Sequence, residues 1–123
     1  MSKKIILIID DEVDFVEMFR LRLVSAGYDV IMAFDGVEGL EKAKAEKPDL
    51  IILDIVLPKM DGNKVGRILK ADAELKKIPI IILTARVNKK EERSAFEAGV
   101  ECYMSKPCES PVLLDKIKEL LNK

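Results

Sequence analysis

A small set of polar residues stands just behind apolar runs, and their types suit transfer of a phosphoryl group to a carboxylate. Asp10 and Asp11 follow the run Ile5 to Ile9, and Asp54 follows Leu50 to Leu53. Thr84, the only threonine in the chain, follows Ile80 to Leu83, and Lys106 comes shortly after Cys102 to Met104. Carboxylates crowded at one place repel each other and raise each other's pKa. A hard divalent cation relieves the conflict. Mg²⁺ takes oxygen ligands, uses few carboxylates and keeps waters that a phosphate can replace. Asp54 can then attack phosphorus while Mg²⁺, the Thr84 hydroxyl and the Lys106 ammonium neutralise the phosphoryl oxygens. Each residue alone has a plainer reading. Asp10 and Asp11 can cap a helix, Asp54 can open a turn, Thr84 can cap, and Lys106 can be surface charge. The chemical reading rests on all of them reaching one rim.

Whether they do depends on the elements that carry them. The apolar runs are continuous rather than alternating, as expected of strands covered on both faces of a parallel sheet. Tyr28 to Met32 supplies a further, shorter run. Between the runs lie helical stripes: Val16, Phe19 and Leu23 before Gly27; Val37, Leu40 and Ala43 before Pro48; Val65, Ile68 and Leu69; Ala95 and Phe96 before Gly99. A last stripe, Leu113, Leu114, Ile117 and Leu121, follows Ser110 as cap and Pro111 at the first helical position. Five β/α units in succession predict an α/β fold, a doubly wound, flavodoxin-like (βα)5 with a five-stranded parallel sheet in the order 2-1-3-4-5. Its ligand site lies beyond the carboxyl ends of the strands, between the first and third. That is where Asp10, Asp11 and Asp54 would converge.

Composition removes other classes. The 123 residues suit one domain, read here as spanning 1–123. A net charge of −1 gives no broad field for nucleic acid or an anionic membrane. No apolar stretch approaches the ~20 residues of a membrane span, and no signal-peptide pattern opens the chain, so a cytoplasmic location is expected. The chain has no His, which excludes Ser-His-Asp and Cys-His chemistry and any role as its own phosphohistidine carrier. Cys102 and Cys108 read as reduced thiols.

The pieces Ile-Asp-Asp-Glu at 9–12, Leu-Asp-Ile-Val-Leu-Pro at 53–58, Met-Asp-Gly at 60–62, Thr-Ala at 84–85 and Tyr-Met-Ser-Lys-Pro at 103–107 make a specific set. On them the chain resembles the response-regulator receiver domains of two-component signalling, of the single-domain, chemotaxis-regulator-like kind, over nearly its full length. The resemblance implies that Asp54 is the phosphoacceptor. It implies Mg²⁺, with Mn²⁺ as a substitute, bound directly by Asp11, Asp54 and the backbone carbonyl of Val56, with Asp10 acting largely through water. Lys106 would contact the phosphoryl group, and Lys106-Pro107 would be a cis peptide. Thr84 and Tyr103 would form a switch pair, and Val56 and Arg86 would tune the phosphoryl lifetime.

The implied partners are a sensor histidine kinase or histidine phosphotransfer protein, docking near Val13 to Phe19 on the first helix, and a downstream effector protein. No direct nucleic-acid or membrane binding is implied, and the protein would be a monomer or a weak phosphorylation-dependent dimer. It would not be a conventional enzyme, although it would catalyse its own phosphorylation and slow dephosphorylation. A phosphorelay intermediate and the N-terminal receiver of a longer transcriptional regulator are the neighbouring alternatives. Outside the family, a flavodoxin would need a Ser/Thr/Gly-rich phosphate loop where Asp10-Asp11-Glu12 stands. A Mg²⁺-dependent phosphatase with an Asp nucleophile would need an acid at position 56, which is Val. A purely structural module would not need the acidic rim.

Overall fold

Residues 3–122 are described by a computed structural model. Strands and helices alternate without exception: β1 (Ile5–Ile9), α1 (Val13–Ser25), β2 (Asp29–Ala33), α2 (Gly36–Glu46), β3 (Leu50–Leu53), α3 (Gly62–Ala71), β4 (Ile80–Thr84), α4 (Lys89–Ala98), β5 (Cys102–Ser105) and α5 (Ser110–Leu121). The sheet is parallel in the order β2-β1-β3-β4-β5, as the alternation predicts.

The continuous apolar runs are explained by two cores, one on each face of the sheet. Leu7, Ile9, Ile51, Leu53, Ile80 and Ile82 point to one face and pack under α2, α3 and α4. Ile6, Ile8, Leu50, Ile52, Ile81 and Leu83 point to the other and pack under α1 and α5 through Phe19, Leu23, Leu113 and Ile117. Successive strand residues thus feed opposite cores, so β1 and β3 carry no polar position on either face.

Local signals set the helix ends. Asp35 caps α2 by accepting from the Glu38 N–H at 2.8 Å, and Glu38 in return accepts from the Phe34 N–H at 2.7 Å. Asp61 caps α3 through the Asn63 N–H, and Asn88 caps α4 through Lys90 and Glu91. Three helical expectations need correction. Val37 and Phe96 are exposed, not core. On α2 the helix backbone itself meets β1, because a Cβ on Gly39 would lie 2.7 Å from Ile9 Cδ1; Gly39, Leu40 and Ala43 make the stripe. Ser110 is the first residue of α5 rather than its cap, and Glu109 precedes it without a side-chain capping bond.

The end of the sheet away from the carboxylates is tied by an ion pair whose lysine is buried. Lys70, only 4% exposed, donates to the Lys76 and Ile78 carbonyls and to Glu101 at 2.8 Å. Glu101 also accepts from the Ile80 N–H at 2.8 Å. The end of α3 is thereby fastened to the entries of β4 and β5.

Gly66 lies within α3 with ordinary space beside it, since an added Cβ would meet Leu53 Cδ2 at 3.6 Å and Val100 Cγ2 at 3.9 Å. Gly66→Ala should therefore stabilise the fold by roughly 0.5–1 kcal/mol through reduced backbone entropy in the unfolded chain. Urea unfolding checks this; a lower midpoint at unchanged slope contradicts the packing described for the α3–α4 face.

Candidate functional site

The site is built by residues that continue the sheet hydrogen bonding one step past the strands. Ile9 is in register with Leu53, so the next residues, Asp10 and Asp54, stand side by side. The Asp54 N–H still donates to the Ile9 carbonyl at 3.0 Å, and the Asp10 N–H to the Ala33 carbonyl at 3.0 Å. Across the sheet, Thr84 pairs with Ser105, and the Lys106 N–H then donates to the Thr84 carbonyl at 2.9 Å. Parallel register thus delivers two carboxylates, a hydroxyl and an ammonium to one rim.

Asp10, Asp54 and Thr84 are the buried polar residues of the described chain. Lys106 Nζ donates to Asp10 Oδ2 at 2.7 Å, Asp54 Oδ2 at 3.1 Å and Glu12 Oε1 at 2.6 Å. It also lies 4.2 Å above the centre of the Phe15 ring. Burial alone would push this ammonium down, but its hydrogen bonds to Asp10 and Glu12 outweigh that and hold it above the ordinary lysine range. The Asp10 carboxyl is pushed up by burial, with the Lys106 and Glu12 hydrogen bonds opposing.

The remaining oxygens are also engaged. Asp10 Oδ1 accepts from the Glu12 N–H at 2.9 Å, a tight turn that aims the Glu12 side chain at Lys106. Asp54 Oδ1 accepts from the Val56 N–H at 3.2 Å. The carboxylate oxygens of Asp10, Glu12 and Asp54 lie within 4.8 Å of one another, an all-oxygen donor set that fits a hard divalent cation. Glu12 joins the expected residues of the site, and its place in Ile-Asp-Asp-Glu is the sequence signal for it. Asp11 is exposed and stands outside this group of three. It lines, with Glu12, Asp54, Val56, Thr84, Ala85 and Arg86, a cavity of about 420 Å³ over the rim.

Thr84 Oγ1 accepts from the Arg86 N–H at 3.2 Å, and the half-buried Tyr103 donates its hydroxyl to the Arg86 carbonyl at 3.3 Å. Lys106-Pro107 is cis. Gly62, opening α3, donates its N–H to the Ile55 carbonyl at 2.8 Å, and a Cβ there would collide with the Asp54 carbonyl oxygen. Only glycine lets the helix press so closely on the Asp54 backbone. Cys102 and Cys108 are free thiols pushed up by burial, which leaves little thiolate at neutral pH.

The model of the response regulator receiver domain family matches residues 6–118. The chain belongs to this family. The transcriptional regulatory protein PhoP for alkaline phosphatase synthesis, from Bacillus subtilis, is 41% identical over all of this chain, which spans half of PhoP's length. The polar-differentiation response regulator DivK of Brucella anthropi is 37% identical, with 98% of each chain covered. A CheY-like receiver domain protein from Methanospirillum hungatei superposes with a TM-score of 0.93 at 33% identity, covering 98% of this chain and 95% of its own. Receiver domains of two-component response regulators bind Mg²⁺ at an acidic pocket, and the acidic group here has the oxygen chemistry for it.

Removing the ammonium tests its role as internal counterion. Lys106→Met leaves Asp10 and Asp54 buried without a cation, which should cost about 3 kcal/mol in EDTA. Mg²⁺ should then raise the melting temperature by more than it does in the parent protein, because it binds the folded site alone and meets no competing charge. Equal Mg²⁺ responses in calorimetry would show that the ammonium and the metal do not share these carboxylates.

Proposed function

We propose that this receiver domain is a switch activated by phosphorylation of Asp54, in a Mg²⁺-dependent reaction, with phosphohistidine on a sensor histidine kinase or phosphotransfer protein as donor. The observation that carries the reading is the Asp54 carboxylate itself: buried, bonded to Lys106 and the Val56 N–H, and facing the 420 Å³ cavity. A carboxylate oxygen of Asp54 forms the new O–P bond as the P–N bond of the donor breaks and its electron pair leaves with the imidazole. Asp10, Asp11, Asp54 and the Val56 carbonyl would hold the metal, which supplies positive charge against the phosphoryl oxygens; Mn²⁺ has the same oxygen preference. Lys106 and Thr84 neutralise and position those oxygens. The domain promotes its own phosphorylation and slow dephosphorylation without turning over an external substrate.

The change at Asp54 is added negative charge and acceptor oxygens. In this reading the Thr84 hydroxyl turns to donate to them, and Tyr103 follows as its partner in the switch. The face of α4, β5 and α5 then changes shape for an effector protein or a second copy of the chain. A cytoplasmic setting, one receiver domain over 1–123 and a monomer or weak phosphorylation-dependent dimer go with this reading. A relay intermediate and the receiver half of a longer regulator would use the same chemistry.

Incubation with acetyl phosphate and Mg²⁺ should add one phosphoryl group, and Asp54→Asn should abolish the addition. Mg²⁺-dependent labelling that persists in Asp54→Asn, read by intact mass, would refute the assignment. Docking has its own test. Val13 and Met18 on α1 are exposed apolar side chains close to the rim in sequence. Val13→Glu with Met18→Glu should slow transfer from a phosphohistidine donor by about tenfold, the size of a modest interface contact, and leave acetyl phosphate reactivity alone. Equal slowing with both donors would place the damage in the site rather than the interface.

A further inference from the structure

Arg86 joins three elements that the chemistry at Asp54 does not otherwise connect. Its guanidinium lies 3.3 Å from Asp61 Oδ2 and 3.2 Å from Glu91 Oε1. Asp61 is the cap of α3, and Glu91 lies in the first turn of α4. The same arginine lines the cavity over Asp54. Its backbone is held by both residues of the switch pair, the N–H by Thr84 and the carbonyl by Tyr103.

We propose that Arg86 is a latch, held on Asp61 and Glu91 until Asp54 carries a phosphoryl group and then drawn onto that group, so that the two carboxylates set how readily the domain activates. The inference rests on the reading of Asp54 as phosphoacceptor. It names a competition that this reading does not contain.

Magnitudes favour the exchange. The side chains of Arg86, Asp61 and Glu91 are 44%, 47% and 28% exposed, so water screens each ion pair and leaves it weak. A phosphoryl group carries a charge of about −1.5 to −2 with three acceptor oxygens, and guanidinium binds such groups in a two-pronged, charge-assisted geometry. The latch is therefore weak enough to break and strong enough to bias the resting arrangement. The backbone favours the same direction. When the Thr84 hydroxyl turns toward the phosphoryl group, it lets go of the Arg86 N–H.

Glu91 carries the consequence onward. Its Oε2 is buried without a hydrogen-bond partner, so the Arg86 contact on Oε1 is what compensates this carboxylate. Once Arg86 leaves, a poorly solvated charge remains in the first turn of α4 beside Tyr103. The Tyr103 phenol already feels that charge, being pushed up by burial and then by Glu91. Outward movement of that turn, or a new bond from the Tyr103 hydroxyl to Glu91, relieves it. Either one alters the α4–β5 face.

The test is beryllofluoride binding in the presence of Mg²⁺, at constant ionic strength. Asp61→Asn keeps an α3 cap, since Asn caps as well as Asp, and Glu91→Gln keeps the shape of that side chain. The double variant should bind beryllofluoride roughly twofold to thirtyfold more tightly than the parent, the sum of two exposed ion pairs. In an Arg86→Ala background the same two substitutions should change affinity by less than about twofold. An equal gain in both backgrounds would overturn the latch, because the carboxylates would then act by their own charge. No gain in the Arg86 background overturns it as well. If the double variant unfolds, Glu91→Gln alone carries the same comparison. A parent protein that neither binds beryllofluoride nor gains mass from acetyl phosphate fails the phosphoacceptor reading, a result distinct from either latch outcome.

Discussion

Taking two carboxylates out of water at one point costs several kcal/mol unless a cation sits between them. Here that cation is the Lys106 ammonium, shared by Asp10, Asp54 and Glu12. Three carboxylates and one ammonium leave an excess of negative charge at the rim. That excess suits a divalent cation, which in the proposed reaction offsets the charge of the incoming phosphoryl group. The arrangement is stable enough to fold and charged enough to respond. Lys106 is the part with two uses, counterion to the carboxylates and, in the proposed reaction, partner to the phosphoryl oxygens.

That cluster exists because of sheet register. Asp10, Asp54 and Lys106 each directly follow a strand whose backbone is fixed by its neighbours and by a core on each face, and Glu12 is added by the turn after Asp10. A one-residue slip of β3 against β1 would send Asp54 to the other face and reverse all its apolar contacts. Gly62 adds a second restraint, since it lets the start of α3 touch the Asp54 backbone. The rim is thus closely restrained on the side of β1 and β3. On the side of β4 and β5 the backbone pairing continues to Lys106, but beyond Thr84 the chain is tied by two bonds, the Arg86 N–H to Thr84 Oγ1 and the Tyr103 hydroxyl to the Arg86 carbonyl. This asymmetry suits a device in which chemistry is fixed at one strand pair and movement is left to the other.

The strands and the rim residues were readable from sequence for the same reason. A continuous apolar run ending in Asp or Thr puts that residue at a strand end, and the β/α alternation puts all such ends together. What escaped is instructive. Glu12 joins the cluster through the turn that Asp10 Oδ1 makes with its N–H, and no periodicity announces a turn of that kind. Val37 looked like core because helical spacing does not reveal where a glycine lets backbone replace side chain, and on α4 only Ala95 of the apolar pair turns inward. Lys70 looks like a surface charge, yet its side chain is buried against Glu101 and two backbone carbonyls. The Asp61–Arg86–Glu91 contacts join residues from three elements, and a single sequence carries no trace of them.

In the proposed reaction Lys106 moves from carboxylates to phosphoryl oxygens while the strand ends stay in place. A crystal structure of the protein with Mg²⁺ and beryllofluoride tests it most directly. The account predicts beryllium bonded to Asp54, the metal on the acidic rim, and Lys106 Nζ transferred from Glu12 to a fluorine. It predicts unchanged register between β1 and β3. Beryllofluoride bound elsewhere, or Lys106 still bonded to both Asp10 and Glu12 with the metal in place, would contradict it.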